Sequence, residues 1–395
     1  MKPEVLVIKE SDVPSASSIY KATMRALDKL ESLGFLDGVP LEGNILIKPN
    51  LTQPPNPSLK FGPRQEDLTV HNHVCTDPFV LKAVVEFFVE KGGEVIVGES
   101  VKWPGGARGA FIQQGYEIVL EGLDVETKDL LTNSDDERSS RKTSKVFNPD
   151  YGEFQVNSLL DKVDVLVNLG KMKTHSNMIT TGVLKNTYGL LEPHKRRPRG
   201  HYGADPLWTK VTRRSMAKGF KGLSEAVIQV HEGIVKNLSQ VCIVDGFIAG
   251  EGDGPLFRPT VPRQEGVLFA SVDNPFSMDT AMNHYIGYTS EFLAKTAKRK
   301  IEELGGASTR ELIESYALPY SCKLAAGLGL GRLGEFETLV LSNGDERPMS
   351  LEDLGSLRNG DVFELPTFVK EASNTPLYEQ IPDPDHEFMV EKNEF

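Results

Sequence analysis

A stretch of basic residues begins just beyond an apolar run in the middle of the chain. The run 163–169 (VDVLVNL) predicts a buried strand. Residues 168–221, which start inside it, contain twelve Lys and Arg against two acids, a net charge of +10. The whole chain carries −12, so that the remaining residues sum to −22. Because surface segments normally mix both signs, a block of one sign beyond a buried strand predicts a binding site for anions.

Three side chains of this basic segment are the candidates for catalysis: Lys173, His175 and Lys185. Cationic groups that converge near a strand end can hold a phosphate or carboxylate and stabilise negative charge as it develops. Close backbone approach at Gly182 would also suit phosphate oxygens. The candidates for substrate binding lie in the same segment or just after the predicted strand 44–47: Lys48, Asn50, Lys171, Thr181, Asn186, His194, Arg196 and Arg197. The alternative is a solvated basic loop.

The residues 194–201 (HKRRPRGH) admit three interpretations. They could supply arginines to a diphosphate, form a lid over the site, or be a solvated surface turn. The acidic balance of the chain disfavours non-specific nucleic-acid binding by the whole protein, although this segment alone could hold phosphates.

A second group of chemistry-bearing residues consists of acids that follow predicted strands or lie on a Gly-rich loop. Asp245, Glu251 and Asp253 are the candidate ligands of Mg²⁺, an ion that often bridges carboxylates to substrate phosphates. Asp273 and Asp279 are placed similarly, and Asp279 could instead pair with one of the lysines. The alternative is that these acids are ordinary turn and cap residues. Magnesium is therefore the candidate cofactor.

Several other chemistries are not expected. Cys75, Cys242 and Cys322 lie far apart and form no CxxC pair, which argues against disulfides and an iron–sulfur cluster. The run 327–334 (GLGLGRLG) lacks the preceding strand of a dinucleotide fingerprint. No apolar run reaches the roughly 18 residues of a transmembrane helix, and the first residues lack the layout of a secretion signal. We therefore expect a cytoplasmic protein without a membrane partner.

The elements that must position these residues follow a strand–helix–strand rhythm. Apolar runs predict strands at 4–8, 44–47, 94–97, 163–169, 241–244 and 266–272. Thr76-Asp77-Pro78 marks the start of a helix. This order predicts an α/β fold, with a mostly parallel or mixed sheet between helical layers and the site along the carboxyl ends of the strands.

The predicted organisation is one large domain with C-terminal additions. We expect residues 1–305 to form the α/β core, with the basic segment 168–221 inserted in it. Residues 306–370 are expected to extend the same domain or to form a small second subdomain. The acidic residues 371–395 are expected to be a flexible tail.

The order of motifs resembles the family known as domain of unknown function 362. The motifs that carry the resemblance are LIKPN, TDP, GGEVIVGES, NLGKMKTHSNMITTGVLKNTYG, IVDGFIAGEGDGP and ASVDNPFSMD. They span roughly residues 44–290, and the K-x-H…TG-x-x-KN-x-x-G segment is the most specific part. The resemblance implies a fold and a site location rather than a particular reaction. It also implies that many relatives carry a ferredoxin-like module with clustered cysteines, which this sequence lacks.

Together these observations predict an enzyme that acts on a small anionic metabolite, phosphorylated or diphosphorylated rather than a bare carboxylate. Isomerisation, lyase or cyclase chemistry driven by departure of diphosphate, and phosphoryl transfer all remain open, because preorganised cations stabilise developing negative charge in each. One alternative is a non-catalytic redox-accessory or ligand-binding protein. Another is nucleic-acid binding through the basic segment, which lacks the interleaved aromatic residues of such surfaces. The oligomeric state is left open.

Overall fold

The computed structural model describes the chain in stretches separated by gaps. The described residues are 3–10, 15–51, 73–101, 105–131, 137–143, 153–175, 178–191, 213–235, 238–252, 260–289, 320–334 and 336–364. For 213–223, 260 and 320 only the backbone is described.

Most of the described strands belong to one mixed sheet. The ten strands of this central sheet are β1 (Val5–Lys9), β2 (Asn44–Lys48), β3 (Glu94–Glu99), β4 (Glu126–Asp129), β7 (Val165–His175), β8 (Ile179–Thr181), β9 (Ser239–Gly252), β10 (Thr260–Val272), β11 (Thr338–Ser342) and β12 (Asp345–Met349). A separate two-stranded sheet consists of β5 (Arg138–Lys142) and β6 (Glu153–Asn157).

The central sheet has the order β12-β11-β1-β10-β9-β7-β2-β3-β4, and β8 pairs with β7 outside this order. The neighbours β4, β3, β2, β7 and β9 run parallel to one another. β10 is antiparallel to both β9 and β1, and β12 is antiparallel to β11. The carboxyl ends of β2, β3, β7, β9 and β1 therefore lie at one edge of the sheet.

Helices cover both faces of this sheet. The α-helices are α1 (Ala16–Ser32), α2 (Pro78–Glu90), α3 (Gly106–Gln113), α4 (Tyr116–Val119), α5 (Val183–Thr187), α6 (Arg213–Val235), α7 (Pro275–Ile286) and α8 (Tyr320–Gly327). Short 3₁₀-helices span Ser158–Asp161, Tyr188–Leu190 and Glu352–Leu357. Apolar residues of α1 to α4 pack in one cluster with one face of the sheet, and those of α5 to α8 pack in two clusters with the other face. The prediction of an α/β fold with a mixed sheet between helical layers is confirmed.

Local sequence explains where the first two helices begin. Ser15 and Ser18 form a capping box at the start of α1, whose buried positions repeat at helical spacing. Asp77 accepts a hydrogen bond from the backbone N–H of Phe79 at 2.8 Å, and Pro78 occupies the first turn of α2. This start is where the Thr76-Asp77-Pro78 signal predicts it.

Three segments differ from their sequence prediction. β7 continues to His175 with every residue buried, although the basic segment suggests a loop after Leu169. β9 runs through Gly252, so that part of the expected Gly-rich loop is strand. Residues 138–142, for which the sequence analysis predicts no strand, form β5 and pair with β6 in a short two-stranded sheet. In each case pairing with another strand satisfies the backbone N–H and C=O groups of a segment whose composition is typical of a solvated loop.

The C-terminal segment extends the same sheet. β11 pairs in parallel with β1, which joins residues 338–349 to the central sheet. The buried Lys9 of β1 donates to the side chain of Asn359 at 3.0 Å and to the backbone carbonyl of Glu265. Arg263 also donates to the Asn359 carbonyl at 2.8 Å. These contacts attach the residues up to 364 to the core, and the acidic tail 371–395 lies outside the described residues.

Candidate functional site

Charged and polar side chains are buried where the parallel strands end. The strand registers place Lys48 beside Asn168 and Lys171 beside Asp245. Residues of an extended strand alternate between its faces, so Lys171, Lys173 and His175 share one face of β7. All three are at least 96% buried. The site is therefore an internal polar cluster and not the solvated basic loop of the alternative interpretation.

The first ion pair of the cluster joins β2 to β3. Lys48 Nζ lies 2.7 Å from Glu99 Oε2, and both side chains are buried. Glu99 also accepts backbone hydrogen bonds from Ser100 at 2.8 Å and from Leu51 at 3.4 Å. The charge of Lys48 is therefore compensated inside the protein, as a buried cation requires.

The second ion pair joins β7 to β9. Lys171 Nζ lies 2.7 Å from Asp245 Oδ2, and neither side chain is exposed. The same carboxylate accepts the backbone N–H groups of Asp77 at 2.8 Å and Phe247 at 3.1 Å. Burial and the adjacent Asp245 raise the pKa of Asp77 to about 7, and Lys171 opposes that shift. Lys171 therefore interacts with two neighbouring acids: it forms an ion pair with Asp245 and lowers the pKa of Asp77.

Lys173 differs from these two lysines in its partners. Its Nζ donates to Asn50 Oδ1 at 2.7 Å and to the backbone carbonyl of Val74. Both acceptors are neutral. The pKa of Lys173 is lowered to about 7. Burial is the main cause, and the charges of Lys185, Lys171 and Lys48 contribute in the same direction, against an opposing effect of Cys75. Lys173 is thus a buried amine that can change its protonation state at neutral pH.

Asn186 links the strand ends to α5. Its amide nitrogen donates to Asn168 Oδ1 at 2.7 Å and to the Lys48 carbonyl at 3.2 Å. Its amide oxygen accepts from Lys48 Nζ and from Asn50 Nδ2, each at 3.2 Å. The amide therefore holds β2, β7 and the loop after β2 together. The half-buried Lys185 is its neighbour in the sequence.

The amino end of α5 is fixed by an acid and a glycine. Asp279 of α7 accepts the backbone N–H groups of Val183 at 2.8 Å and Leu184 at 3.1 Å. A Cβ at Gly182 would lie 2.0 Å from Asp279 Oδ1, so this position needs glycine. Burial raises the pKa of Asp279 to about 7, against the effect of these two hydrogen bonds. Asp279 therefore caps a helix, and it forms no ion pair with a lysine in the part of the chain that the structure describes.

Thr181 and His175 lie in the hairpin formed by β7 and β8. Thr181 pairs with Lys173 across the hairpin, and its hydroxyl donates to the Lys171 carbonyl at 3.0 Å. His175 pairs with Ile179, which has a positive φ of 66°. The chain thus doubles back after β7, which brings Lys185 near Lys173. Thr181 stabilises this hairpin with its hydroxyl.

Asp245 and Glu251, the expected magnesium ligands that the structure describes, have partners within the protein. Asp245 is engaged by Lys171, and Glu251 lies 3.3 Å from Arg263 and accepts the Glu364 backbone N–H. Asp273 accepts the Gln240 N–H at 2.6 Å. In the part of the chain that is described, no three His, Cys, Asp or Glu side chains come together as a metal site would require. The described acids thus act as caps and ion-pair partners, and the magnesium site stays a prediction.

Four of the expected site residues lie outside the described residues: His194, Arg196, Arg197 and Asp253. Conversely, the structure adds residues that were not among the sequence candidates. Glu99 and Asp77 supply carboxylates, and Thr76 Oγ1 donates to the Leu169 carbonyl at 3.0 Å. Glu99 could have been found from its place at the end of a predicted strand, and Asp77 from its place at a helix start facing the same edge.

The fold and the cluster together define an α/β protein with a lysine-rich polar site at the carboxyl ends of parallel strands. The chain matches the family "Domain of unknown function (DUF362)" over residues 45–284, which is more than half of its length, and it belongs to that family. The matched region begins in β2 and ends in α7, so that it contains every lysine of the cluster.

Two further similarities were found. The chain is 28% identical over 259 residues to a thylakoid-associated protein of Synechocystis sp., a match that covers 65% of this chain and 67% of that protein. A crystal structure of a protein from Thermotoga maritima is similar at 12% identity with a TM-score of 0.40, and covers 80% of this chain but only 60% of that one. No helix within the described stretches is both long and apolar enough to cross a membrane.

Proposed function

We propose that this protein is an enzyme that acts on a small anionic metabolite, bound beside Lys173 and Lys185 at the carboxyl ends of the parallel strands. The observation that carries this proposal is the environment of Lys173, whose described contacts are with neutral oxygen atoms only. A buried ammonium without a carboxylate partner is unfavourable. A ligand that brings a negative charge to this position would compensate it.

The neighbouring ion pairs explain why the site favours an anion over a further internal carboxylate. Glu99 and Asp245 already compensate Lys48 and Lys171 at 2.7 Å each. Those two lysines and Lys185 lower the pKa of Lys173 and Cys75 raises it, so the lysines contribute a positive potential at its Nζ. A phosphate, diphosphate or carboxylate group of the metabolite is the complement of that potential.

We assign roles to the cluster accordingly. Lys185 would contact the anionic group of the metabolite and stabilise its negative charge, Lys173 would contact the metabolite beside that group, and His175 would exchange protons with it. Asn50 and Asn186 would hold Lys173 and the start of α5 in place through their amide groups. Lys48 and Lys171, with their carboxylates, would supply fixed charge next to the ligand.

Isothermal titration with inorganic pyrophosphate tests the proposal. Replacing Lys173 or Lys185 by Met should weaken binding by about 30-fold or more, because truncating a desolvated charged contact costs about 2 kcal/mol or more. Lys142, which is 76% exposed, provides the matched control. Lys142→Met should change affinity less than about 2-fold.

A second arm uses the protonation of Lys173. An anion next to this amine raises its pKa, so binding at pH 8 should take up close to one proton. Titrations in two buffers of different ionisation enthalpy measure that uptake. The proposal is wrong if wild type binds neither pyrophosphate, phosphate nor a dicarboxylate such as malonate, or if the two Met variants bind as tightly as wild type.

A further inference from the structure

We infer that Lys173 is the nucleophile of the reaction and forms an imine with a carbonyl group of the anionic substrate. This inference rests on the proposed function, since it names the reacting group of the same ligand. It makes the substrate an aldehyde or a ketone that also carries a phosphate or carboxylate group.

The hydrogen bonds of Lys173 suit a neutral amine. A neutral amine has two N–H groups and one lone pair, whereas an ammonium has three N–H groups. Lys173 Nζ has two acceptors within the described residues, Asn50 Oδ1 at 2.7 Å and the Val74 carbonyl. These two acceptors take both N–H groups of the neutral form and leave the lone pair in the remaining direction. They also fix the orientation of that lone pair.

The other buried lysines of the cluster lack this arrangement. Lys48 and Lys171 each donate to a carboxylate oxygen at 2.7 Å, which favours the ammonium form. An ammonium has no lone pair and cannot attack a carbonyl. The cluster thus separates two roles, because Lys48 and Lys171 form ion pairs with carboxylates, whereas Lys173 donates to neutral oxygen atoms among the described residues. Burial together with adjacent cations is a recognised way to activate a lysine nucleophile.

The reaction balances without any further reagent. Lys173 Nζ attacks the carbonyl carbon, a C–N bond forms, and the carbonyl electron pair moves to oxygen. The two hydrogens of the amine leave with that oxygen as one water molecule, and the nitrogen lone pair completes the C=N bond. No electrons are gained or lost. Protonation of the imine then gives an iminium, which withdraws electrons from the neighbouring C–H or C–C bond.

This chemistry narrows the reaction classes left open by the sequence. An iminium assists proton removal or C–C cleavage next to the former carbonyl carbon, which is isomerase or lyase chemistry. An iminium does not assist phosphoryl transfer, because the reacting centre of that reaction is phosphorus. The anionic group of the substrate, held near Lys185, would also stabilise the positive charge of the iminium.

Reductive trapping tests this inference on the wild-type protein. Glyoxylate and acetaldehyde are the probes, since both are two-carbon aldehydes and only glyoxylate carries a carboxylate. Each is incubated with the protein, sodium borohydride reduces any imine to a stable secondary amine, and peptide mass spectrometry locates the modified lysine. We expect glyoxylate to modify Lys173 at least 10-fold faster than acetaldehyde does. Pyrophosphate should protect Lys173.

The pH dependence separates Lys173 from surface lysines. Trapping at Lys173 should reach half of its maximal rate near pH 7. The exposed Lys142, read in the same digest, provides the comparison. Because the modified position is read directly, the result does not depend on whether a Lys173 variant folds.

The outcomes also separate this inference from the proposed function. Pyrophosphate binding that depends on Lys185, without any adduct on Lys173 from either aldehyde, would overturn the imine and leave the anion site standing. Trapping spread over exposed lysines, with Lys173 unmodified, would overturn it equally. An adduct on Lys173 that forms equally fast with acetaldehyde, in a protein that does not bind pyrophosphate, would overturn the anion site instead.

Discussion

Replacing Lys173 by Met should change the pH dependence of stability in a way that reports the burial of this amine. In the unfolded chain the pKa of a lysine is about 10.5, and in the folded protein that of Lys173 is lowered to about 7. Between these values the unfolded state binds more protons, so the free energy of unfolding rises with pH. The contribution of Lys173 is therefore fully present above pH 10.5 and is lost as pH falls toward 7.

The magnitude follows from the shift of the pKa. Each unit corresponds to about 1.4 kcal/mol, so the full difference of about 3.5 units gives about 5 kcal/mol. Between pH 7 and pH 9 the share is about 2 kcal/mol, because the amine is already half neutral at pH 7. The free energy of unfolding of wild type should therefore rise by about 2 kcal/mol more than that of Lys173→Met between pH 7 and pH 9. Titrating groups that do not interact with Lys173 cancel in the comparison.

Urea unfolding, followed by circular dichroism at pH 7, 8 and 9, measures the difference. Lys142, whose side chain is 76% exposed, serves as the control, and the free energy of unfolding of Lys142→Met should stay within about 0.5 kcal/mol of wild type at every pH. A constant difference between wild type and Lys173→Met from pH 7 to 9 would show that Lys173 is protonated throughout. The lowered pKa, and the neutral amine that follows from it, would then be refuted.

Three further predictions concern the residues that hold the cluster in place. Asp279→Asn removes a carboxyl whose pKa is raised to about 7. As pH rises from 5 to 8, the free energy of unfolding of wild type, measured with urea, should therefore fall by about 2 kcal/mol relative to the variant. Parallel pH profiles of the two proteins would contradict this. Gly182→Ala should cost about 1–3 kcal/mol and weaken pyrophosphate binding, since its Cβ would lie 2.0 Å from Asp279 and displace α5; unchanged stability and affinity would argue against it. Lys171→Met should destabilise the protein by about 3–5 kcal/mol, because it leaves the buried Asp245 carboxylate without its cation. Adding Asp245→Asn should restore part of that loss. Additive losses in the double variant would show that the two residues are not coupled.

Several features of the fold were predictable because they depend on neighbours in the sequence. The apolar runs before Lys48 and Lys171 predict strands, and the Thr76-Asp77-Pro78 signal predicts the start of α2. Parallel strands joined by helices bring their carboxyl ends to one edge, which is why lysines from separate segments could be expected to meet. The boundaries were less predictable, since β7 continues to His175 only because β8 and β9 pair with it.

The partners of the charged residues could not be predicted. Lys171 and Asp245 are 74 positions apart, and Lys48 and Glu99 are 51 apart. A basic segment of the sequence looks the same whether its lysines face water, an internal carboxylate or a ligand. The expected magnesium acids show the same limit, because Glu251 belongs to a predicted Gly-rich loop, as a ligand might, and yet lies in β9 and pairs with Arg263.

The sequence by itself determined that strands end in lysines and acids and that a one-sign block follows the central strand, since hydrophobic periodicity and charge are properties of short segments. Only the tertiary structure decided that Lys48 and Lys171 pair with carboxylates, whereas the contacts of Lys173 within the described residues are neutral oxygen atoms. The physical reason is that the cost of burying a charge depends on what lies within a few ångströms of it. Contacts of that range come from elements far apart in the chain, so the neutral surroundings of Lys173 exist only once β2, β7 and the start of α2 have packed together.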